Sequence, residues 1–422
     1  VTRTAPLSAA LLALTLAAVP AAGQVPDYPS FVLQCRSNFT GAFNLPDAAF
    51  FTNNTAAVND DRQVAMYVSV IAGSDSKSIW FGSDGSGGLV YTSPAGAFLS
   101  DASVNGGGRV VFEQVFTAMD GIYFYDDVDA SSGFETNLPF GASGWGSPQV
   151  NDAGEVGMRA DFGSGQAYAS YDGVSTAAIH AAEVSLDVTS PYSFLFTPSF
   201  NGSREIAGKV RLGANGQVGE SQPDEIRVFA DDGSSVLIAE DRDSNPASPY
   251  DRFDNSVSLT DSGWVAFVAT LPGGVRGVYL SDGTTTVEIA TEDDLELAEV
   301  EFFGPAANDA GLVAFRGRNS AGLRAIFVGD GGELRQVIAE HDLVETDLGT
   351  ARIDQHDSSP VFGGGVSINA GGDVAFAAGL TPPDDNQVEW GSGVFLAEAT
   401  LGLIFADGFE SGDVGAWSAV VP

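Results

Sequence analysis

A hard cation is held by short oxygen-bearing side chains on alternate residues, and one stretch of this chain supplies them. Asp241-x-Asp243-x-Asn245 has the alternating spacing of calcium loops, with Asp251 and Asp254 close behind. Tyr250 and Phe253 stand among these acids, so residues 240–254 combine oxygen ligands with aromatic surface. Loops on a rigid scaffold are where binding usually resides, which makes this segment the candidate ligand-binding loop. A looser match runs Asp127-x-Asp129-x-Ser131, followed by Gly133 and Glu135. Neither has the helix–loop–helix context of an EF-hand, and the chain holds 56 acidic residues, so chance spacings are common. The expected cofactor is calcium, which would neutralise repelling carboxylates and order the loop.

Other chemistries find less support. His341 and His356 share one stretch with Asp342, Glu345, Asp354 and Asp357, a zinc-capable set that no helix holds in place. Ordinary surface histidines are the simpler reading, and His180 stands alone. The Asp-Gly pairs at Asp172, Asp232, Asp282 and Asp330 sit where sialidase propellers carry Asp boxes, but they lack the Ser-x-Asp-x-Gly pattern with a following Trp. Tight hairpin turns explain them. The sequence contains no nucleophile elbow, phosphate loop, Cys pair or dinucleotide fingerprint, so no catalytic residue is assigned.

These residues are strung along a repeat. A turn led by Asn or Thr runs into an apolar strand, and a second strand follows that often ends in Asp-Gly. The clearest copies are Asn308-Asp-Ala-Gly-Leu-Val-Ala-Phe315 and Thr260-Asp-Ser-Gly-Trp-Val-Ala-Phe267; the other leads are Asn59, Asn105, Asn151, Asn201 and Asn369. Seven leads spaced 46 to 61 residues apart, about 52 on average, suit a four-stranded unit and exceed a leucine-rich or ankyrin repeat. In the sixth unit the strands are Gly304-Pro305-Ala306-Ala307, Val313–Arg316, Ala325–Val328 and Leu334–Ala339.

Runs such as Val265-Ala266-Phe267-Val268 are apolar on consecutive residues, which is how a strand buried on both faces reads. Blades stacked around an axis bury inner strands in this way, and radial closure leaves only short edges. The expectation is an all-β, seven-bladed β-propeller, with an open β-solenoid as the alternative. The segment Phe31-Val-Leu-Gln-Cys35 precedes the first unit and is placed to pair into the last blade and latch the ring. The domain reading is a signal peptide at 1–23, an N-terminal segment at 24–57, the propeller at 58–400 and a tail at 401–422.

Arg3, the apolar run Leu7 to Val19 and Ala21-Ala22-Gly23 have the layout of a secretory signal cleaved before Gln24, and the run is too short to span a bilayer. An initial Val fits literal translation of a non-standard bacterial start codon. The expected location is outside the cytoplasm of a gram-negative bacterium, secreted or at the cell surface. The single cysteine, Cys35, allows no intramolecular disulfide. A net charge of −38 argues against nucleic-acid partners and anionic membrane surfaces, because phosphate binders carry basic patches.

The lead Asn-x-x-Gly-x-Val-Ala-Phe, with Gly-Val-Tyr/Phe, Asp-Gly and Ile-Ala after it, resembles a tandem-repeat family of secreted bacterial proteins with varied C-terminal anchors. The resemblance covers about residues 58–400 and departs most at Asn201-Gly-Ser-Arg-Glu. It implies export and a propeller-like fold, and carries no assigned reaction. The tail Asp407-Gly-Phe-Glu-Ser-Gly-Asp413, with Ala416-Trp417-Ser418, is similar to a short C-terminal tag on secreted proteins of gram-negative bacteria. The functional expectation is an exported, non-catalytic propeller that binds an extracellular polymer, a glycan or a protein. The alternative is an extracellular polysaccharide hydrolase or lyase with acids in its inter-blade loops.

Overall fold

The computed structural model describes residues 24–51, 53–355 and 360–401. The signal-peptide segment, His356, Asp357 and the tail from residue 402 lie outside them. Every element among the described residues is a β-strand, and the strands form seven antiparallel blades in chain order, with one small two-stranded sheet besides. Blade 5 shows the plan: Arg252–Leu259 lies innermost, then Val265–Thr270, Arg276–Ser281 and outermost Thr286–Thr291.

The repeated Val-Ala-Phe explains how blades stack. In blade 5, Val265 and Phe267 join the apolar cluster shared with Ala207 and Ile226 of blade 4. Ala266 and Val268 point the other way, to Val313 and Phe315 of blade 6. Alternate side chains of the strand thus face the preceding and the following blade, so neighbouring sheets interdigitate. Seven such clusters, one at each blade interface, make up the described core. Each Val or Phe buried there is worth ~1.5–3 kcal/mol over exposure.

The seventh blade is completed by the start of the chain. Asp27–Arg36 pairs antiparallel with Gly391–Thr400 as the outermost strand, from Asp27 against Thr400 to Arg36 against Gly393. Arg36 is fully buried at the end of this strand. It grips Asp347 through Nε and Nη2, both at 2.8 Å, and donates to the carbonyls of Trp390 and Gly41. Cys35 is buried beside it, and burial pushes its thiol pKa up.

The innermost strand departs from the expected pattern. Gly304-Pro305-Ala306-Ala307 supplies only Ala306–Ala307, and a second segment, Leu297–Val300, pairs with the other half of Val313–Asn319. Blades 2, 4 and 7 are interrupted in the same way, and blades 3 and 5 carry bulges there. An unbroken strand would have to follow the twist of its partner; an interruption lets half of it stay near the axis. In blade 6 the break also turns Phe302 and Phe303 out of the ladder.

The lead residues form a second ring around the channel, open at one seam. Asn59 Nδ2 donates to the Asn105 carbonyl at 2.7 Å, Asn105 to Asn151 at 3.0 Å, Asn151 to Asn201 and Asn201 to Thr260 at 3.3 Å. Asn308 donates to Asn369 at 2.9 Å, and Asn369 returns to Asn59 at 3.1 Å. Each Asn Oδ1 meanwhile accepts the amide four residues on, as from Leu312 to Asn308 at 3.1 Å. Thr260 reproduces that half, accepting from Trp264 N at 3.1 Å, but has no amide to pass to blade 6. The third residue after the lead adopts positive φ and is Gly in five units; Arg62 and Arg204 occupy it at φ 60° and 61°. Both arginines reach back to the preceding blade, Arg62 to Asp373 at 2.9 Å and Arg204 to Glu155 at 3.4 Å. Those ion pairs offset the cost of a left-handed non-glycine residue.

Replacing Asn105 by Ala strands buried amide and carbonyl groups, and is expected to lower unfolding free energy by about 1–3 kcal/mol in urea titrations. Thr260→Asn supplies the missing donor and is expected to raise the melting temperature. A lower value for that variant would show that the ring contributes nothing at this seam.

Candidate functional site

The two ends of the ring differ in kind. Lead turns and Asp-Gly turns share one end, called here the turn end; crossings between blades and the connections between second and third strands share the other, the crossing end. Among the turns, Asp172 Oδ1 accepts the amides of Val174, Ser175 and Thr176, and the Thr176 amide first among these holds its carboxyl well below the usual range. Four leads are followed by exposed acids, and each takes an amide of the preceding blade. Ala370 N donates to Asp60 at 2.8 Å, Gly106 N to Asp152 at 2.7 Å, Gly202 N to Asp261 at 2.6 Å and Ser262 N to Asp309 at 2.9 Å. Acids at the turn end therefore stitch blades together.

Most of the oxygen groups in 240–254 are also engaged already, here within their own blade or loop. Asp241 is buried, and its carboxylate accepts Asp224 N at 2.9 Å and Ser244 N at 2.8 Å. Asn245 spans its own loop, donating to Glu240 Oε1 at 2.6 Å and accepting Ala247 N at 3.0 Å. Asp254 takes the Arg276 guanidinium at 2.7 and 3.1 Å. Asp243 and Asp251 are exposed, and Asp251 lies 3.7 Å from Arg242. Tyr250 and Phe253 are buried in an aromatic cluster with Phe267 and Tyr279. Asp251, Phe253 and Asp254 reach a common cleft; Asp241, Asp243 and Asn245 do not line it.

In the looser match, Asp127 accepts from Gln63 Nε2 and the Tyr125 hydroxyl, Asp129 from Ser131 N, and Glu135 pairs with Arg109. Among the described residues one group of His, Cys, Asp or Glu brings three candidate ligand atoms within 4.8 Å of one another: Glu340, His341 and Asp354. There Arg352 Nη2 already holds Asp354 Oδ2 at 2.5 Å. His180 is buried, with Nε2 at 2.8 Å from Ser170 Oγ and Nδ1 at 3.2 Å from the Phe229 carbonyl, and burial lowers its pKa.

Two cavities at the crossing end have the size of ligand sites. The central channel, about 730 Å³, is lined by the innermost strands and by Asp101 and Glu113. Asp101 faces the channel and accepts from Asn54 Nδ2 at 2.9 Å. Glu113 is buried and accepts Trp145 N at 2.6 Å; burial raises its carboxyl pKa, with Arg159 opposing. The second cavity, about 580 Å³, lies between blades 4, 5 and 6 and adjoins the channel through Phe196–Thr197, Ser256–Val257 and Gly304–Pro305.

The chain has 18 basic residues; Lys209 and Arg211 line the second cavity over Phe196, and Arg276 and Arg316 stand against its Phe302 and Phe303. Arg211 chelates Asp224 at 2.7 and 2.8 Å, while Lys209 Nζ sits 3.0 Å from Asp224 and 4.2 Å from the centre of the Phe196 ring. Burial lowers the Lys209 pKa, and Asp224 opposes this. Arg276, held by Asp254, lies 3.8 Å over Phe302. Arg316, held by Glu301, lies 3.8 Å over Phe303. Sequence reasoning misses Phe196, Lys209, Arg211, Arg276, Phe302 and Phe303. The available signal is a set of rare cations at strand ends, together with a Phe pair just ahead of a lead turn.

No protein-family model matches this chain, and neither does any curated protein. Among solved structures, an oligogalacturonate lyase in complex with manganese superposes with a TM-score of 0.53 at 9% identity, over 90% of this chain and 98% of that one. The oligogalacturonate lyase of Vibrio parahaemolyticus gives 0.53 at 10%, over 88% and 98%. The likeness is one of fold. This chain is a seven-bladed β-propeller, and its chemistry must be read from its own residues.

Because Glu113 binds its proton more tightly folded than unfolded, stability is lost as pH rises from the ordinary carboxylate range through its raised value, and is constant above it. Glu113→Gln keeps an acceptor for Trp145 N and removes this titration. Urea midpoints of the variant are expected to fall less with pH across that window than those of wild type; parallel curves would refute it.

Proposed function

We propose that this protein is an exported, non-catalytic propeller that binds or scaffolds an extracellular polymer, glycan or protein through its crossing end. The observation that carries this reading is the uneven distribution of exposed apolar side chains. Phe116, Phe140 and Leu295 are 77, 92 and 95% exposed and stand on crossing-end connections, and Phe302, 77% exposed, stands at the break in the innermost strand of blade 6. The turn end offers Val128, Val174 and Leu401 among acids already spent on backbone amides. Large exposed apolar groups on the connections of one end, with Phe302 lining the second cavity, mark a surface built for contact. Support for export rests on the layout of residues 1–23. No helix among the described residues is long and apolar enough to cross a membrane.

Co-sedimentation with isolated gram-negative cell envelopes tests the face. Phe116→Ser with Phe140→Ser is expected to weaken retention about tenfold, whereas Val128→Ser with Val174→Ser leaves it unchanged. Equal loss from the turn end would overturn the assignment.

One observation favours a polysaccharide-cleaving reading: Glu113, with its raised proton affinity, and Asp101 line the same channel. A carboxyl of raised proton affinity that shares a channel with a second carboxylate has the pairing that general acid catalysis on a glycosidic bond uses. If wild type releases reducing or unsaturated ends from alginate, xylan or polygalacturonate and Glu113→Gln does not, this reading replaces the first. Release that survives the substitution would exclude Glu113 as the acid.

A further inference from the structure

We propose that the cleft between blades 4, 5 and 6 is a subsite for the sugar rings of a polysaccharide, with Phe302 as its stacking platform. The inference rests on the binding reading above and names its ligand class. Phe302 is 77% exposed, yet its ring is not loose. The Arg276 guanidinium lies 3.8 Å from its centre. Arg276 is itself buried, clamped by both Asp254 oxygens at 2.7 and 3.1 Å and donating from Nε to the Val300 carbonyl at 3.1 Å. Carboxylate, guanidinium and phenyl are thus stacked in a fixed series, with one ring face on the cation and the other open. Glu301, Arg316 and Phe303 repeat the series in the next blade.

A fold needing only packing would bury these rings rather than hold one flat and open to water. The open face of a phenyl ring is electron-rich, and the apolar face of a pyranose presents weakly positive C–H groups to it. Sugar hydroxyls around the ring's edge need donors and acceptors, and the cleft offers exposed Asp251, Arg252 and Asn255 beside the platform. A cavity of about 580 Å³ accommodates only a few rings, but its lining adjoins that of the channel. A polymer therefore suits it better than a free monosaccharide, since a longer chain continues onto the channel mouth.

Affinity electrophoresis of the full chain through gels containing xylan, laminarin, alginate or polygalacturonate tests this. Wild type is expected to be retarded in at least one gel. Phe302→Ala, an exposed position whose folding is checked by its melting temperature, is expected to raise the apparent Kd about tenfold, and Phe302→Trp to restore retardation. Retardation unaffected by Phe302→Ala overturns the cleft assignment and leaves the binding propeller standing. Free migration of wild type in every gel, with envelope retention still dependent on the crossing end, overturns the sugar assignment alone. Free migration together with no envelope retention overturns both.

Discussion

A stack of sheets has no exposed face only if its last member meets its first, and every feature of this molecule depends on that closure. Two devices secure it. The initial strand Asp27–Arg36 fills the outer position of blade 7, where buried Arg36 is fixed by Asp347. At the turn end, lead residues hand a hydrogen bond from blade to blade at every seam but that between Thr260 and Asn308, and Asn369 returns it to Asn59. Closure converts apolar strands that would aggregate in an open sheet into interfaces buried on both sides. It also explains why the lead is Asn: one side chain must accept from its own turn and donate to its neighbour.

That use of polar groups divides labour between the ends. At the turn end, short acids and amides serve the scaffold, and their hydrogen-bonding capacity is committed to backbone. At the crossing end, chain length varies, cations are paired with buried carboxylates, and rings are left open. The ion pairs Arg211–Asp224, Arg276–Asp254 and Arg316–Glu301 have desolvation costs that make them poor sources of stability. Their value lies in fixing the orientation of neighbouring aromatic rings.

The repeat is legible in sequence because it rests on local rules: a lead, a positive-φ residue and a two-sided apolar strand. Strands such as Val313–Asn319, Arg324–Gly329 and Leu334–Ala339 follow from those rules. The broken inner strand does not, since it reflects geometry near an axis that no local window contains. The site is less legible still. Asp241 and Asn245 have the spacing of cation ligands, but amides close in space claim their oxygens. Asp254, Arg276 and Phe302 come from two blades and belong together only after closure. Asp254 and Phe253 line the cleft with Phe302, for a different reason than their spacing suggests.

The pairing of Asp27 with Thr400 has a mechanical consequence. Both ends of the described chain enter the ring at the same place, on antiparallel neighbours. Tension between them therefore pulls the two strands apart from one end, loading the ladder one hydrogen bond at a time rather than all together in shear. The latch is the first element to yield under such a load, and the other blades bear no force until it has peeled. Resistance to heat and resistance to pulling are set by different parts of this molecule: the first by seven packed interfaces, the second by a single strand.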